Sequence, residues 1–357
     1  MLFCYYYYWN EVIMDNKDIY VFGLSASQQL AKEVCHFLGV EQKVVKTTRF
    51  ADGEILVESI DSVRGKEIYV IQSTSMPVNE NLMELLIAID AFKRGSAEKI
   101  NVVIPYYGYA RQDRKAKGRQ PITAKLVADL LTKAGADRVI VFDIHSTQTM
   151  GFFDIPMDNF HTSQSLANEI VDTIIKEKFD PEKCILVSPD YGGLNRVHKV
   201  DSYTANMTNG IAVIGKRRPE PNKAEVEFVL GDIEGRTCFI IDDMIDTGGT
   251  IISGAKALKA NGAKDVYIFA CHGLFNGPAK ERMTQAIKEG IVKNVVVTNT
   301  VEIPQERQFE GLKIVSVVPL LANMIKESQE HHSLTEVYNK NEDEIQLKIQ
   351  DFMNHKN

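Results

Sequence analysis

The sequence predicts an α/β protein of two similar domains, each with a mostly parallel sheet flanked by helices, and three observations carry that reading. Short apolar runs alternate with helix-length segments from residue 18 onward. Most of these runs are Val/Ile-rich without strict alternation, as expected of strands buried on both faces of a parallel sheet. A weak internal repeat aligns LTKAGADRVIVFDIH, ending at His145, with LKANGAKDVYIFACH, ending at His272.

In chain order the predicted strands of the first half are IYVF (19–22), EIYVIQ (67–72), NVVIPY (101–106) and RVIVFD (138–143). Those of the second half are CILVS (184–188), IAVIG (211–215), TCFIIDD (237–243), DVYIFAC (265–271), NVVVTN (294–299) and KIVSVV (313–318). Between them, 27–38, 78–93, 121–134, 162–177 and 250–260 space their apolar residues near the helical period of about 3.6. Gly95, Gly135 and Gly262 are each expected to end a helix, where a left-handed residue relieves the last carbonyls. A turn that any α/β protein reuses also accounts for the repeat; a duplication accounts for it together with the strand order.

The expected organisation is an extension outside the fold at 1–14, a first domain at 15–160 and a second at 161–318. A helix at 319–332 is expected to pack back on the body, and 333–357 reads as a peripheral tail. The first thirteen residues, MLFCYYYYWNEVI, are aromatic and lack the basic start of a secretory leader. An ordered extra strand or a membrane-touching patch are the other readings of that stretch. In the tail, Ile345, Ile349 and Phe352 make only a thin apolar stripe, which does not hold a helix alone.

The chain has 357 residues with 41 Lys+Arg against 48 Asp+Glu, a formal charge of -7, which argues against a dedicated nucleic-acid binder. At 44% apolar and 25% charged, the composition is that of an ordinary soluble protein, not a collagen-like, disordered or disulfide-scaffold chain. No run reaches the roughly 18 apolar residues of a membrane span. The 5 cysteines are widely spaced and form no CxxC pair, so a reducing, cytoplasmic location is expected, with the thiols acting as small buried hydrophobes.

The sharpest chemical signal is FIIDDMIDTGGTI at 239–251. An apolar strand ends in Asp242 and Asp243, and Asp246, Thr247, Gly248, Gly249 and Thr250 follow directly. Strand, tight turn and helix start gather backbone N–H groups around one point, which cradles a phosphate. Two carboxylates beside an anion site make sense if they hold sugar hydroxyls, directly or through a divalent metal. No GxxxxGK[ST] or GxGxxG occurs, so a P-loop or dinucleotide fold is excluded. His145 and Asp190 each follow a predicted strand and would sit at a carboxyl edge, where ligand crevices form; a buried, hydrogen-bonded histidine is the plainer reading. GYARQDRKAKGR (108–119) packs five cations into a glycine-flanked stretch, either a solvated basic face or a polyphosphate grip. KRRPEPN (216–222) reads as a loop that three consecutive cations hold open until anions arrive.

DDMIDTGGT resembles the phosphoribosyl-pyrophosphate motif of type I phosphoribosyltransferases. Together with TRFADGE (48–54), VVIPYYGYARQDRK (102–115), FDIHSTQTMGFFDIP (142–156), SPDYGG (188–193), KRRPEPNKAEV (216–226) and GPAKERM (277–283), it is similar to the ribose-phosphate pyrophosphokinase family over residues 19 to 330. The resemblance implies a duplicated type I phosphoribosyltransferase-like fold, with ATP motifs in the first domain and the ribose 5-phosphate site and catalytic loop in the second. It implies Mg²⁺-dependent transfer of the pyrophosphoryl group of ATP to the 1-hydroxyl of ribose 5-phosphate.

By the same resemblance, Lys216 and Arg218 are catalytic, and Phe50, Asp52, Glu54, Arg111, Gln112 and His145 bind ATP. Asp242, Asp243, Asp246, Thr247, Gly248, Gly249 and Thr250 bind ribose 5-phosphate, and His145 and Asp190 hold the metal. The loop with Phe50, Asp52 and Glu54 would reach the adenine and ribose across a subunit interface, in a homo-oligomer, a hexamer built from dimers with shared ATP sites. Arg64, Arg119, Thr147, Asp158 and Asn159 fall where an allosteric phosphate/ADP site is expected. Met150 in place of glutamine, and SLTEVY (333–338) in place of a serine-rich segment, depart from the phosphate-regulated pattern. Met76 stands where aspartate is common, without an evident effect. A phosphoribosyltransferase and a catalytically silent associated subunit are the rival readings; neither nucleic acid nor membrane is an expected partner.

Overall fold

The computed structural model describes residues 19–220 and 223–356. The expected extension at 1–14 lies outside the described residues. The chain divides into two compact units. The first holds the described residues up to 141 with 148–158 and 317–337, and the second holds 142–147, 159–316 and 338 onward.

In chain order the elements begin with β1 (Ile19–Gly23), α1 (Gln28–Leu38), β2 (Gln42–Lys43), β3 (Val45–Arg49), β4 (Ile55–Ser59), β5 (Glu67–Ile71) and α2 (Val78–Arg94). They continue with β6 (Lys99–Ile104), α3 (Thr123–Ala134), β7 (Arg138–Phe142), β8 (Met157–Phe160), α4 (Ser163–Lys176), β9 (Cys184–Ser188), α5 (Leu194–Tyr203), β10 (Ile211–Glu220) and β11 (Lys223–Leu230). The last are β12 (Thr237–Ile245), α6 (Gly249–Ala260), β13 (Asp265–Gly273), α7 (Ala279–Lys288), β14 (Val295–Thr298), β15 (Leu312–Val315), α8 (Val318–Gln329) and α9 (Thr335–Lys356).

One sheet runs β2-β1-β5-β6-β7-β8 and a second runs β11-β10-β9-β12-β13-β14-β15. The pairs β1/β5, β5/β6 and β6/β7 of the first are parallel, and the second is parallel except for β10/β11. The central strands are buried on both faces, which explains their unbroken apolar runs: Ile68, Tyr69, Val70 and Ile71 are fully buried, as are Phe239, Ile240 and Ile241. In the second unit α6 and α7 close one face of the sheet, while α4 and α5 close the other. The doubled α/β reading thus holds. Cys35, Cys184, Cys238 and Cys271 are buried and form no disulfide among the described residues. Among the described residues no helix is long and apolar enough to cross a membrane.

Four local expectations differ from the structure. The two units are not contiguous: α8 joins the first unit, where it packs on α1, although it follows the last strand of the second sheet. Gly135 (φ 123°) and Gly262 (φ 89°) are left-handed as expected, but Gly95 ends α2 in the right-handed region and Ser96 (φ 63°) makes the left-handed turn. Glycine is needed at 95 for close approach instead, because a Cβ there would lie 2.5 Å from Cγ2 of Val63. Residues 216–220 are not a loop. They extend β10 and pair antiparallel with β11, with Lys216 opposite Val226 and Arg217 opposite Glu225. The β-prone run after Asn222 supplies the partner strand that the cation count concealed.

The fourth difference is the tail. Residues 335–356 form a 22-residue helix whose Ile345 and Ile349 are each 3% exposed within the apolar cluster of α4 and α5. Burying two isoleucines contributes about 3–6 kcal/mol. A stripe too thin to hold a helix alone holds it once a complementary surface exists.

Candidate active site

Strand β12 carries its two carboxylates to the carboxyl edge of the second sheet. The Asp243 N–H donates to Oδ1 of Asp242 and the Met244 N–H to Oδ1 of Asp243, both at 2.9 Å, so the backbone fixes both side chains. Oδ2 of Asp243 lies 2.6 Å from Nδ1 of His145. Arg196 of α5 faces both acids, at 3.8 Å from Asp242 and 3.9 Å from Asp243. Burial resists ionisation of Asp243, but the hydrogen bond to His145 and the Arg196 charge outweigh it and hold this carboxyl below the usual range. Burial, and then the Asp243 charge, push Asp242 well above it. The two adjacent carboxyls are thus driven apart, Asp243 toward the ionised form and Asp242 toward the protonated one.

The turn after β12 is built for close approach. The Ile245 carbonyl accepts from Leu274 and Phe275 N–H groups, at 2.9 and 3.1 Å. Asn276 donates its side-chain amide to Oδ1 of Asp246 at 2.9 Å, and Arg282 donates to the Thr247 carbonyl at 3.0 Å. Gly248 is left-handed (φ 74°) and precedes α6, which begins at Gly249 with no side-chain cap. The amides of its first turn therefore stay available to an anion, favoured further by the helix dipole.

Two residues before His145, Asp143 directly follows β7 with a positive φ of 37° and is 6% exposed. It accepts from the N–H (2.8 Å) and hydroxyl (2.6 Å) of Thr162 and pairs with Nδ1 of His161 at 3.2 Å. Burial opposes its charge, and these bonds overcome that and lower its pKa. Asp190 caps a short turn, accepting the Gly193 N–H at 3.0 Å. No hydrogen bond or ion pair joins Asp190 to His145 among the described residues.

In the first unit, β3 and β4 form a hairpin whose tip is residues 50–54. The Phe50 N–H donates to the Glu54 carbonyl at 2.9 Å, and Oδ1 of Asp52 accepts the Glu54 N–H at 3.1 Å. Phe50 is 50% exposed. The hairpin is anchored by Glu84, fully buried, which accepts from Thr47, Ser25 and Gln72 at 2.9, 2.7 and 2.9 Å. Arg111 and Gln112 are exposed, and Oε1 of Gln112 accepts from the Thr123 hydroxyl at 2.6 Å.

Residues 19–135 match the N-terminal domain of ribose phosphate pyrophosphokinase, and 205–339 match the phosphoribosyl synthetase-associated domain. The ribose-phosphate pyrophosphokinase of Bacillus subtilis is 47% identical over 323 residues, 90% of this chain and 98% of that protein. The chain belongs to the ribose-phosphate pyrophosphokinase family. The Ureaplasma parvum member is 48% identical over 315 residues, covering 87% of this chain and 91% of its own. The crystal structure of phosphoribosylpyrophosphate synthetase from Mycobacterium smegmatis superimposes with a TM-score of 0.80 at 41% identity, covering 88% of this chain and 100% of that one.

Within this pyrophosphokinase frame, Asp242, Asp243 and His145 meet directly, and Asp246 through Thr250 form the adjoining turn. Lys216 is placed by backbone register alone and Arg218 by its position in β10, where the register with β11 breaks; their side chains lie outside the described ones. The five residues expected at an allosteric site each have local surroundings. Arg64 donates to Ser96 at 3.2 Å, Asp158 pairs with Arg138, Asn159 accepts the Ile144 N–H at 3.0 Å, Arg119 is left-handed (φ 66°) and exposed, and Thr147 begins a short 3-10 turn. Sequence reading did not find Arg196, Asp143 or Glu84. Arg196 was visible as the cation four residues past SPDYG, but nothing in the spacing placed it over the two acids.

Proposed function

We propose that this chain transfers the β,γ-pyrophosphoryl group of ATP to the 1-hydroxyl of ribose 5-phosphate, giving 5-phosphoribosyl 1-pyrophosphate and AMP. The observation that carries the reading is one strand–turn–helix unit. It sets two adjacent carboxyls, fit for sugar hydroxyls, beside the uncapped start of α6, fit for a phosphate. The turn 246–250 holds the 5-phosphate. Asp242 and Asp243 hold the 2- and 3-hydroxyls of the sugar.

His145 and Asp190 are the proposed holders of Mg²⁺. The donor chemistry suits a hard cation: His145, its side chain 41% exposed, stands beside the charged carboxylate of Asp243, and oxygen ligands are available from Asp190. The one group of three ligand atoms already gathered among the described residues is elsewhere, at Glu327, Glu330 and His332. When bound, the ion neutralises triphosphate charge. Arg111 and Gln112 grip ATP, Phe50 stacks on the base, and Asp52 and Glu54 accept from the nucleoside. Lys216 and Arg218 neutralise charge on the β-phosphoryl as the 1-hydroxyl attacks in line. No general base is required, because positioning and electrostatics carry such transfers.

The active assembly is proposed as a homohexamer built from dimers in the cytoplasm, with the exposed tip at Phe50 serving a neighbour's nucleotide. Arg64, Arg119, Thr147, Asp158 and Asn159 are proposed for an effector phosphate. The test is incubation with ATP, Mg²⁺ and ribose 5-phosphate, followed by ³¹P NMR. AMP with a diphosphate ester at C1 is expected. ADP with a sugar bisphosphate would mean γ-transfer and overturn the mechanism, and absence of turnover with ligands bound would favour a silent subunit.

A further inference from the structure

From Tyr338 onward α9 belongs to the second unit, and it meets that unit at the elements supporting the carboxyl pair. Ile345 and Ile349 share an apolar cluster with Leu166 and Ile170 of α4 and with Val197 and Val200 of α5. Nε2 of Gln346 donates to the carbonyl of Tyr203, the last residue of α5, at 3.3 Å. Nζ of Lys348 donates to Asn168 and Asp172 of α4, each at 2.7 Å. At the other end, the Tyr338 hydroxyl accepts the His161 N–H at 2.9 Å, and the Gln164 amide donates to the Tyr338 carbonyl at 2.7 Å.

These contacts converge on one atom group. α5 carries Arg196, next to buried Val197, and Arg196 faces both carboxylates. His161 and Thr162 hold Asp143, two residues before His145, and His145 contacts Asp243. Both side chains that face Asp243, Arg196 and His145, thus rest on segments that α9 clamps.

We propose that α9 is a positioning element for ribose 5-phosphate binding: by seating α5 and the His161–Thr162 corner it fixes Arg196 and His145 against Asp243. The inference rests on reading Asp242 and Asp243 as the sugar site. Displacements near 1 Å in such supports change rates and affinities by one to two orders of magnitude, and α9 has two independent points at which to impose them.

The test uses full-length protein carrying Ile345→Ala with Ile349→Ala, Tyr338→Phe, or Ile345→Val with Ile349→Val. Steady-state constants are measured beside the ribose 5-phosphate Kd by calorimetry, without ATP or metal. The alanine pair is expected to raise KM and Kd for ribose 5-phosphate about five- to twentyfold, with kcat within about threefold. Tyr338→Phe is expected to raise them about two- to fivefold, and the valine pair to restore them. Lowered Tm with Kd unchanged in both the alanine pair and Tyr338→Phe overturns the proposal, leaving α9 a stabilising helix only. Where the alanine pair does not fold, Tyr338→Phe decides. Arg196→Lys, measured in parallel, separates the two levels. A changed Kd there, with none in the α9 variants, discards the clamp alone; an unchanged Kd in all of them discards the sugar-site reading as well.

Discussion

Nδ1 of His145 lies 2.6 Å from Oδ2 of Asp243, and this contact sets two adjacent carboxyls apart. Burial and the neighbouring charge raise the pKa of Asp242, whereas the hydrogen bond to His145 and the Arg196 charge lower that of Asp243 against its burial. The two asparagine variants should therefore differ. Asp242→Asn removes a carboxyl whose ionisation its surroundings oppose and is expected to cost less than about 1 kcal/mol. Asp243→Asn removes the carboxylate that pairs with His145 and Arg196 and is expected to cost about 2–4 kcal/mol. Urea denaturation at pH 7 checks this, and equal costs would disprove the unequal surroundings.

Acid sensitivity just below neutrality has a source in His272. The ring is 2% exposed, with Nδ1 2.9 Å from the Thr300 hydroxyl and Nε2 3.2 Å from the Phe142 carbonyl. Burial lowers its pKa more than the Asp143 and Asp243 charges raise it. The unfolded chain therefore takes up a proton below the ordinary histidine value of about 6.5, while the folded chain does not. Stability must fall as pH drops through that value. His272→Gln should flatten the slope between about pH 7 and 5.5; a Tm-against-pH curve unchanged by the substitution would assign the slope to other groups.

Much of this was legible in the sequence, for identifiable reasons. Unbroken Val/Ile runs such as those of β5 and β12 announced strands buried on both faces, and the run 242–250 announced the tight turn from β12 into α6, because both signals are local. What stayed hidden is long-range. Arg196 lies 46 positions from Asp242 and 47 from Asp243, so only the α5–β12 packing sets it over the acids. Glu84 reads as a surface acid on a helix until Ser25, Thr47 and Gln72 surround it. The α9 stripe looked inadequate because its partner, the α4–α5 surface, is more than 130 residues away in the chain.

Lys216 lies opposite Val226 on the β10–β11 ribbon. Its proposed role is to meet charge that develops on the β-phosphoryl, which matters more in the transition state than in the ground state. Lys216→Ala should lower kcat about 100- to 1000-fold while the Kd for Mg·ATP changes less than about threefold. Single-turnover rates beside equilibrium binding measure both. A kcat within a few-fold of the parent would remove Lys216 from the mechanism.

Gly248 offers the cleanest separation of fold from binding. Its φ of 74° is left-handed, and a Cβ there would stand 2.9 Å from Cε of Met283. That methyl is the far end of a flexible side chain and can yield, so the main cost of Gly248→Ala is the backbone conformation, about 1–2 kcal/mol. The variant should fold, with Tm lowered by a few degrees. Any relaxation of φ moves the first-turn amides of α6, the groups assigned to the 5-phosphate. The KM for ribose 5-phosphate should rise about tenfold or more, with the Kd for Mg·ATP unchanged. Parallel titration of the two substrates gives the answer. Equal shifts for both would mean a general loosening of the second unit, and no shift for either would detach the turn from phosphate binding.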